Sequence, residues 1–218
     1  MVAFFDLDRT LIDCNSGRLW MTSELRAGRL GMGDVMWASY WLIRYHMGME
    51  EGLEKAFEQA VATLQGLQED TLDVRTRDWF EASVRGRLRP GARQALAAHL
   101  ADGERCVLAT SASVYEARYA AAAWGLETAV HTSFQVADGV FTGAIDGFAY
   151  GRHKLDRVVE WARANYVDLA DSAFYTDSVT DLPVLEAVGR PVVVNPDRRL
   201  AVVALERGWP VHDWGLSG

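Results

Sequence analysis

Val2-Ala3-Phe4-Phe5-Asp6-Leu7-Asp8-Arg9-Thr10 begins with four apolar residues and then turns abruptly into two carboxylates. A run that is apolar at every position, not at alternate ones, is the pattern of a strand inside a parallel sheet, covered on both faces. Further along, Cys106 to Ala109 repeats that pattern after a helix-like stretch from Gly91 to Leu100. A helix is expected from about Val114 to Trp124, closed by Gly125. Phe174-Tyr175 and Pro191 to Val194 read as two more short buried strands, separated by a helix around Pro183 to Val188. Ser133 to Val136 and Val140 to Thr142 flank Ala137-Asp138-Gly139, a hairpin turn signal. Strands alternating with helices predict an α/β fold, a doubly wound parallel sheet with right-handed crossovers. Ligands of such sheets sit beyond the carboxyl ends of the strands.

Between Cys14 and Leu88 no strand pattern is visible. Apolar residues recur there at helical spacing, through Leu19-Trp20, Leu25, Val35-Met36, Trp41-Leu42, Leu53, Phe57, Val61 and Leu64. Residues 14–87 are therefore expected to form a helical cap inserted into a core of residues 1–13 and 88–218, with Arg89-Pro90-Gly91 as the return. The 218 residues carry 22 basic and 30 acidic side chains, a net charge of −8, which disfavours a nucleic-acid partner. The two cysteines, Cys14 and Cys106, give no disulfide framework and read as packing residues of a reduced, cytoplasmic protein. No leader is expected ahead of Asp6. No apolar run approaches the ~20 residues that span a bilayer, so no membrane partner is expected. The oligomeric state is left open.

Asp6 and Asp8 stand two apart directly after the first strand. On a tightly coiled loop both can face one site, where one attacks phosphorus while the other protonates a leaving alkoxide and later activates water. A calcium loop of the EF-hand kind fails, since Leu11 sits where its glycine belongs and Gly17 where its glutamate belongs. Thr110-Ser111 ends the second core strand and offers a hydroxyl and a backbone N–H for a phosphate oxygen. Lys154 opens a predicted helix, and Asp177 and Asp181 follow another short strand. Like charges ~4 Å apart repel by about 4 kcal/mol at an effective dielectric near 20. Four carboxylates and a phosphate dianion therefore need counter-charge, which Lys154 and Mg²⁺ would supply.

The set Asp6-Leu7-Asp8-Arg9-Thr10, Thr110, Lys154 and Asp177 to Asp181, in this order, resembles the haloacid dehalogenase-like superfamily. More narrowly it resembles the phosphoserine-phosphatase-like branch, with a Rossmann-like core and a helical cap inserted after the first motif. The resemblance implies that Asp6 is the nucleophile, becoming an aspartyl-phosphate. Asp8 would be general acid and then base, lending its backbone carbonyl to Mg²⁺. Thr110 would hold phosphate together with Ser111, Lys154 would neutralise nucleophile and phosphate, Asp177 would ligate the metal and Asp181 would support its water shell. Dehalogenases and phosphonate-cleaving members lack the second aspartate, so Asp8 favours ester hydrolysis.

Three departures argue against phosphoserine as the substrate. Asn15 stands where the branch places a substrate-binding glutamate, Ser111-Ala112 replaces a glycine pair, and Thr180 replaces an asparagine. Another small phosphomonoester, such as a phosphorylated amino alcohol of the histidinol phosphate kind, or phosphocholine, fits as well. The aromatic stretch from Met36 to Met47 reads as cap-helix packing or as a pocket wall; Asn15, Trp20, Trp37 and Trp41 are the candidate substrate contacts. Rival readings are phosphoryl transfer to a second substrate, as in a mutase, and a non-catalytic phosphate-binding protein on the same scaffold.

Overall fold

The computed structural model describes residues 1–29, 33 and 53–216. Seven strands form one sheet, β1 (Val2–Phe5), β2 (Arg105–Ser113), β3 (Glu127–Ala137), β4 (Val140–Gly147), β5 (Ala173–Thr176), β6 (Arg190–Val194) and β7 (Val211–His212). Their order is β4-β3-β2-β1-β5-β6-β7, parallel throughout except for the antiparallel β3–β4 hairpin at one edge. The described helices are α1 (Ser16–Arg26), α2 (Leu53–Ala62), α3 (Glu69–Ser83), α4 (Pro90–Ala101), α5 (Val114–Trp124), α6 (Gly151–Ala164), α7 (Leu182–Leu185) and α8 (Arg198–Arg207).

The uniform apolarity of β1 has the expected cause. Successive side chains of a strand point to opposite faces, and each face is covered. Ala3 and Phe5 pack with Leu96 of α4, Ala117 and Ala121 of α5, and Trp79 and Phe80 of α3. Val2 and Phe4 pack on the other face with Leu155 and Val158 of α6, Val184 and Leu185 of α7, and Leu200 of α8. Phe4 and Phe5 are wholly buried, each contributing roughly 1.5–3 kcal/mol of transfer free energy.

The chain winds from β1 out to β2 and β3 on one side, then returns to β5 on the other side of β1. The crevice where the winding reverses lies at the carboxyl end of β1. Registers align the three loop-bearing strands there, since Phe5 pairs with both Leu108 and Tyr175. Asp6, Thr110 and Asp177 therefore fall within two residues of one level.

Three expectations are adjusted. β2 runs on to Ser113, so Thr110 and Ser111 lie inside a strand and not at its end. From Ala109 to Ser113 it advances four residues while its partner advances two, from Val130 to Thr132. This bulge lifts Thr110–Ala112 out of the regular ladder. β3 is longer than the hairpin arm read from the sequence, because its first half pairs with β2. The helix expected to Val188 shrinks to α7, while α8 and the edge strand β7 carried no clear sequence signal. At the hairpin tip Asp138 (φ 51°) and Gly139 (φ 75°) both take the left-handed conformation that a two-residue connection requires.

Ile12 and Leu88 form an antiparallel bridge, and the Arg89 N–H donates to the Leu11 carbonyl at 2.9 Å. The chain thus leaves and re-enters the sheet layer at one neck. Within the intervening segment, Leu67 and Glu69 hydrogen-bond with Phe141 and Gly139 at the β-hairpin. α3 is tied to α5 by Tyr115–Glu69 (2.8 Å) and Tyr119–Asp73 (2.6 Å).

Gly189, between α7 and β6, has no room for a side chain, because a Cβ would overlap the Ala170 carbonyl. Gly189→Ala is expected to destabilise the fold by ~1–3 kcal/mol, since backbone on backbone cannot be relieved by a rotamer change. A urea unfolding midpoint equal to that of the unaltered protein would contradict this.

Candidate active site

Asp6 follows β1 directly, and its N–H donates to the Tyr175 carbonyl at 2.9 Å, so its backbone still belongs to the sheet. The next residues coil tightly. Arg9 has φ 58°, its N–H donates to the Cys14 carbonyl (3.0 Å), and the Ile12 N–H donates to the Leu7 carbonyl (3.1 Å). This turn brings Asp8 back beside the end of β1, where one of its carboxylate oxygens accepts from the Ser16 N–H at 2.8 Å.

Lys154, from the first turn of α6, is 2% exposed and reaches across the crevice. Its Nζ donates to Asp6 Oδ1 at 3.0 Å and to Asp181 Oδ2 at 2.9 Å. Burial alone would draw this ammonium down; the Asp181 and Asp6 carboxylates outweigh it and hold it above its ordinary value. Asp6 itself is pushed up to about 7, chiefly by burial, with Lys154 opposing. Burial also raises Asp8, against the pull of the Ser16 N–H, and lifts Asp177 well above the usual carboxylate range.

Several positions not singled out from the sequence hold these groups in place. The Thr10 hydroxyl accepts from the Asp177 N–H (3.0 Å) and donates to Asp177 Oδ1 (3.3 Å), linking the first acidic loop to the last. Thr176 donates its hydroxyl to Asp181 at 2.8 Å. Asp197 accepts from the Val179 N–H (2.9 Å) while capping α8 through the Leu200 N–H (2.8 Å), bracing the Asp177–Asp181 loop from behind. No one-dimensional pattern marks these contacts, because each partner lies on a different element.

Thr110 is buried, and its hydroxyl accepts from the Ala112 N–H at 3.1 Å, while the Ser111 carbonyl accepts from Thr132 at 2.8 Å. Two substrate candidates have other occupations. Asn15 caps α1, accepting from the Arg18 N–H at 2.8 Å, and Trp20 packs edge-on against Trp79. Trp37, Trp41 and the rest of the Met36–Met47 stretch lie outside the described residues. Both cysteines are free, and burial pushes their thiols up, Cys14 to about 12 and Cys106 to about 11.

The geometry joins all four segments singled out in the sequence at one crevice, and comparison with known proteins agrees. Residues 3–186 match the family pattern of haloacid dehalogenase-like hydrolases. The chain belongs to that family. A probable phosphatase of Mycobacterium tuberculosis is 32% identical over 96% of the chain and 74% of its own length. A histidinol-phosphatase of Neisseria meningitidis is 25% identical over 96% of the chain and 97% of its own length. A crystal structure of a protein with unknown function from Bordetella pertussis superposes with a TM-score of 0.87 at 31% identity, covering 98% of both chains. Solved phosphoserine phosphatases share the fold. The chain is thus an enzyme of the phosphatase type. Among the described residues no helix is long and apolar enough to cross a membrane.

One further buried acid stands at the rim of the crevice. Glu116, in the first turn of α5, is pushed up to about 8 by burial and by the charge of Asp8. The folded chain therefore holds this proton more tightly than the unfolded chain, whose group titrates near 4.5. Stability from this source is present below about 4.5 and lost as pH rises to about 8. In chelator-treated protein, Glu116→Gln should gain on the unaltered chain by on the order of a few kcal/mol across that window. A stability difference that does not change with pH in urea titrations would contradict this.

Proposed function

We propose that this protein is a Mg²⁺-dependent phosphomonoester hydrolase working through an aspartyl-phosphate on Asp6, with residues 14–87 as a cap over the crevice. The observation that carries the reading is the Lys154 ammonium bridging Asp6 and Asp181 at the carboxyl end of β1. The cap boundaries are supported by the neck at Ile12 and Leu88.

The donor set fits a divalent ion. The Lys154 ammonium pairs with Asp6 and Asp181, while Asp177 is acted on by those same two carboxylates and by Asp8, so acidic groups outnumber the cations beside them. Among the described residues no three carboxylate, imidazole or thiolate side chains form a closed metal cage. Mg²⁺ does not need one, since it binds through one or two carboxylates and fills the remaining positions with water and substrate phosphate. The Asp6 and Asp177 carboxylates and the Asp8 carbonyl would hold it. Bound there, it would supply positive charge to the anionic site and orient the phosphate for in-line attack.

Asp6, held by Lys154, attacks phosphorus through a carboxylate oxygen, and the ester P–O bond breaks. Asp8, whose carboxyl burial raises, acts as the general acid and gives a proton to the departing alkoxide oxygen. The Asp8 carboxylate so formed then takes a proton from water; that water's oxygen attacks phosphorus, releasing phosphate and restoring Asp6. Thr110 and the Ser111 N–H bind a non-bridging phosphate oxygen. Asp181 and Thr176 hold Lys154 on Asp6, a positioning role close to the metal support expected of Asp181.

The substrate would be a small phosphorylated metabolite. Hydrolysis of para-nitrophenyl phosphate should stop when divalent metal is chelated and return when Mg²⁺ is restored. Full activity in excess chelator would exclude the metal assignment. An isomerised sugar phosphate in place of free phosphate would favour a mutase.

A further inference from the structure

The proposed reaction leaves Glu116 unused, although this carboxylate lies beside the general acid. Its backbone is fixed where α5 begins, its N–H donating to the Ser113 hydroxyl at 3.4 Å. The side chain is only 6% exposed, and Oε1 has no hydrogen-bond partner among the described residues. Buried carboxylate oxygens almost always find a donor inside the protein. One that does not is complementary to a donor arriving from outside.

The neighbours define that donor. Asp8 acts on Glu116 electrostatically, and Glu116 acts on Cys14, which places it at the start of the excursion that follows the first acidic loop. Ser16, whose N–H donates to Asp8, has a buried hydroxyl that approaches both carboxylates closely enough to act on them but makes no well-formed hydrogen bond with either. Two unsatisfied oxygens thus flank the residue that protonates the leaving oxygen, where the organic part of the ester must lie. An anionic substituent there would bring acceptors and no donor to Oε1. A purely apolar one would leave Oε1 without a donor, and a trimethylammonium brings charge but no N–H.

We propose that Glu116, with the Ser16 hydroxyl, is the subsite for a primary ammonium on the leaving group, selecting phosphorylated amino alcohols. The assignment rests on the phosphatase reading above and names the substrate class of that site.

The test compares kcat/KM for 2-aminoethyl phosphate, propyl phosphate and phosphocholine, with para-nitrophenyl phosphate as reference. The first two differ by an ammonium in place of a methyl group; the third keeps the charge without an N–H. The unaltered enzyme should favour 2-aminoethyl over propyl phosphate by about tenfold or more, the effect of one hydrogen bond to a charged group. Phosphocholine should fall below 2-aminoethyl phosphate. In Glu116→Gln the ratio of the first two should approach one, whatever the absolute rates, so the readout does not depend on how much variant is folded. Equal turnover of the three esters by the unaltered enzyme overturns the subsite while leaving the phosphatase intact. A preference that survives in Glu116→Gln, or phosphocholine as the best ester, does the same. If no ester is hydrolysed, para-nitrophenyl phosphate included, the phosphatase reading falls and the subsite with it.

Discussion

Asp6→Asn is expected to lower kcat for para-nitrophenyl phosphate by about 10⁴-fold or more, because it removes the carboxylate assigned to form the covalent intermediate. The change is nearly isosteric and leaves Lys154 paired with Asp181. The variant should therefore remain folded; burial, the largest influence on Asp6, disfavours its charged form, so thermal stability should be equal or higher. Acid quenching during turnover should trap phosphate on the unaltered protein and none on the variant. Near-normal turnover by a folded Asp6→Asn protein would remove the nucleophile assignment.

The second large effect concerns stability as much as rate. Lys154→Met deletes the ammonium that sits 3.0 Å from Asp6 and 2.8 Å from the nearer Asp181 oxygen, in a setting almost closed to solvent. Removing one partner of a buried pair leaves its carboxylates uncompensated, a cost of about 3–5 kcal/mol. Turnover should also disappear. The loss should depend on pH in a definite direction. Asp6 stands near 7 even with the lysine present, and without it the carboxyl holds its proton still more tightly than in the unfolded chain. The folded variant then binds more protons than the unfolded one, so its stability falls as pH rises and its gap to the unaltered protein widens. Lys154→Met combined with Asp181→Asn should recover part of the deficit, since one of the abandoned charges is gone. Urea unfolding at pH 7 and pH 9 measures both effects, since the gap opens above the value of about 7 that Asp6 has in the unaltered protein. A variant as stable as the unaltered protein at pH 7 would show that the pair is not structurally coupled to the fold.

How the two aspartates are held explains why one fold-level pattern reads so clearly while its supports do not. Val2–Phe5 is identical as read and as found, because a strand buried on both faces must be apolar at every position. The bounds of α5 are equally legible: Gly125 takes φ 75° at its end, a conformation that few other residues accept. The hairpin tip at Asp138-Gly139 follows the same local logic. Sequence spacing also separated Asp6, Thr110, Lys154 and Asp177 into the segments that meet at the crevice. Elsewhere local signal gave out. The extension of β2 past Ala109 depends on pairing with β3, and β7 exists only because β6 offers an edge to two residues. Asn15 reads as a candidate substrate contact from its place in the chain; only the fold shows that its side chain also caps α1.

Short-range physics, then, was enough to determine the strand identities, the turn residues and which acidic and basic side chains stand at loop starts, because each depends on neighbours a few residues away. What only the folded chain decided is how those side chains are held: Thr10 on Asp177 across 167 positions, Lys154 between Asp6 and Asp181, and Glu116 buried with an unmatched oxygen. Contacts over such separations depend on where the winding of the sheet carries each element. Residue type at either end leaves no trace of the partner.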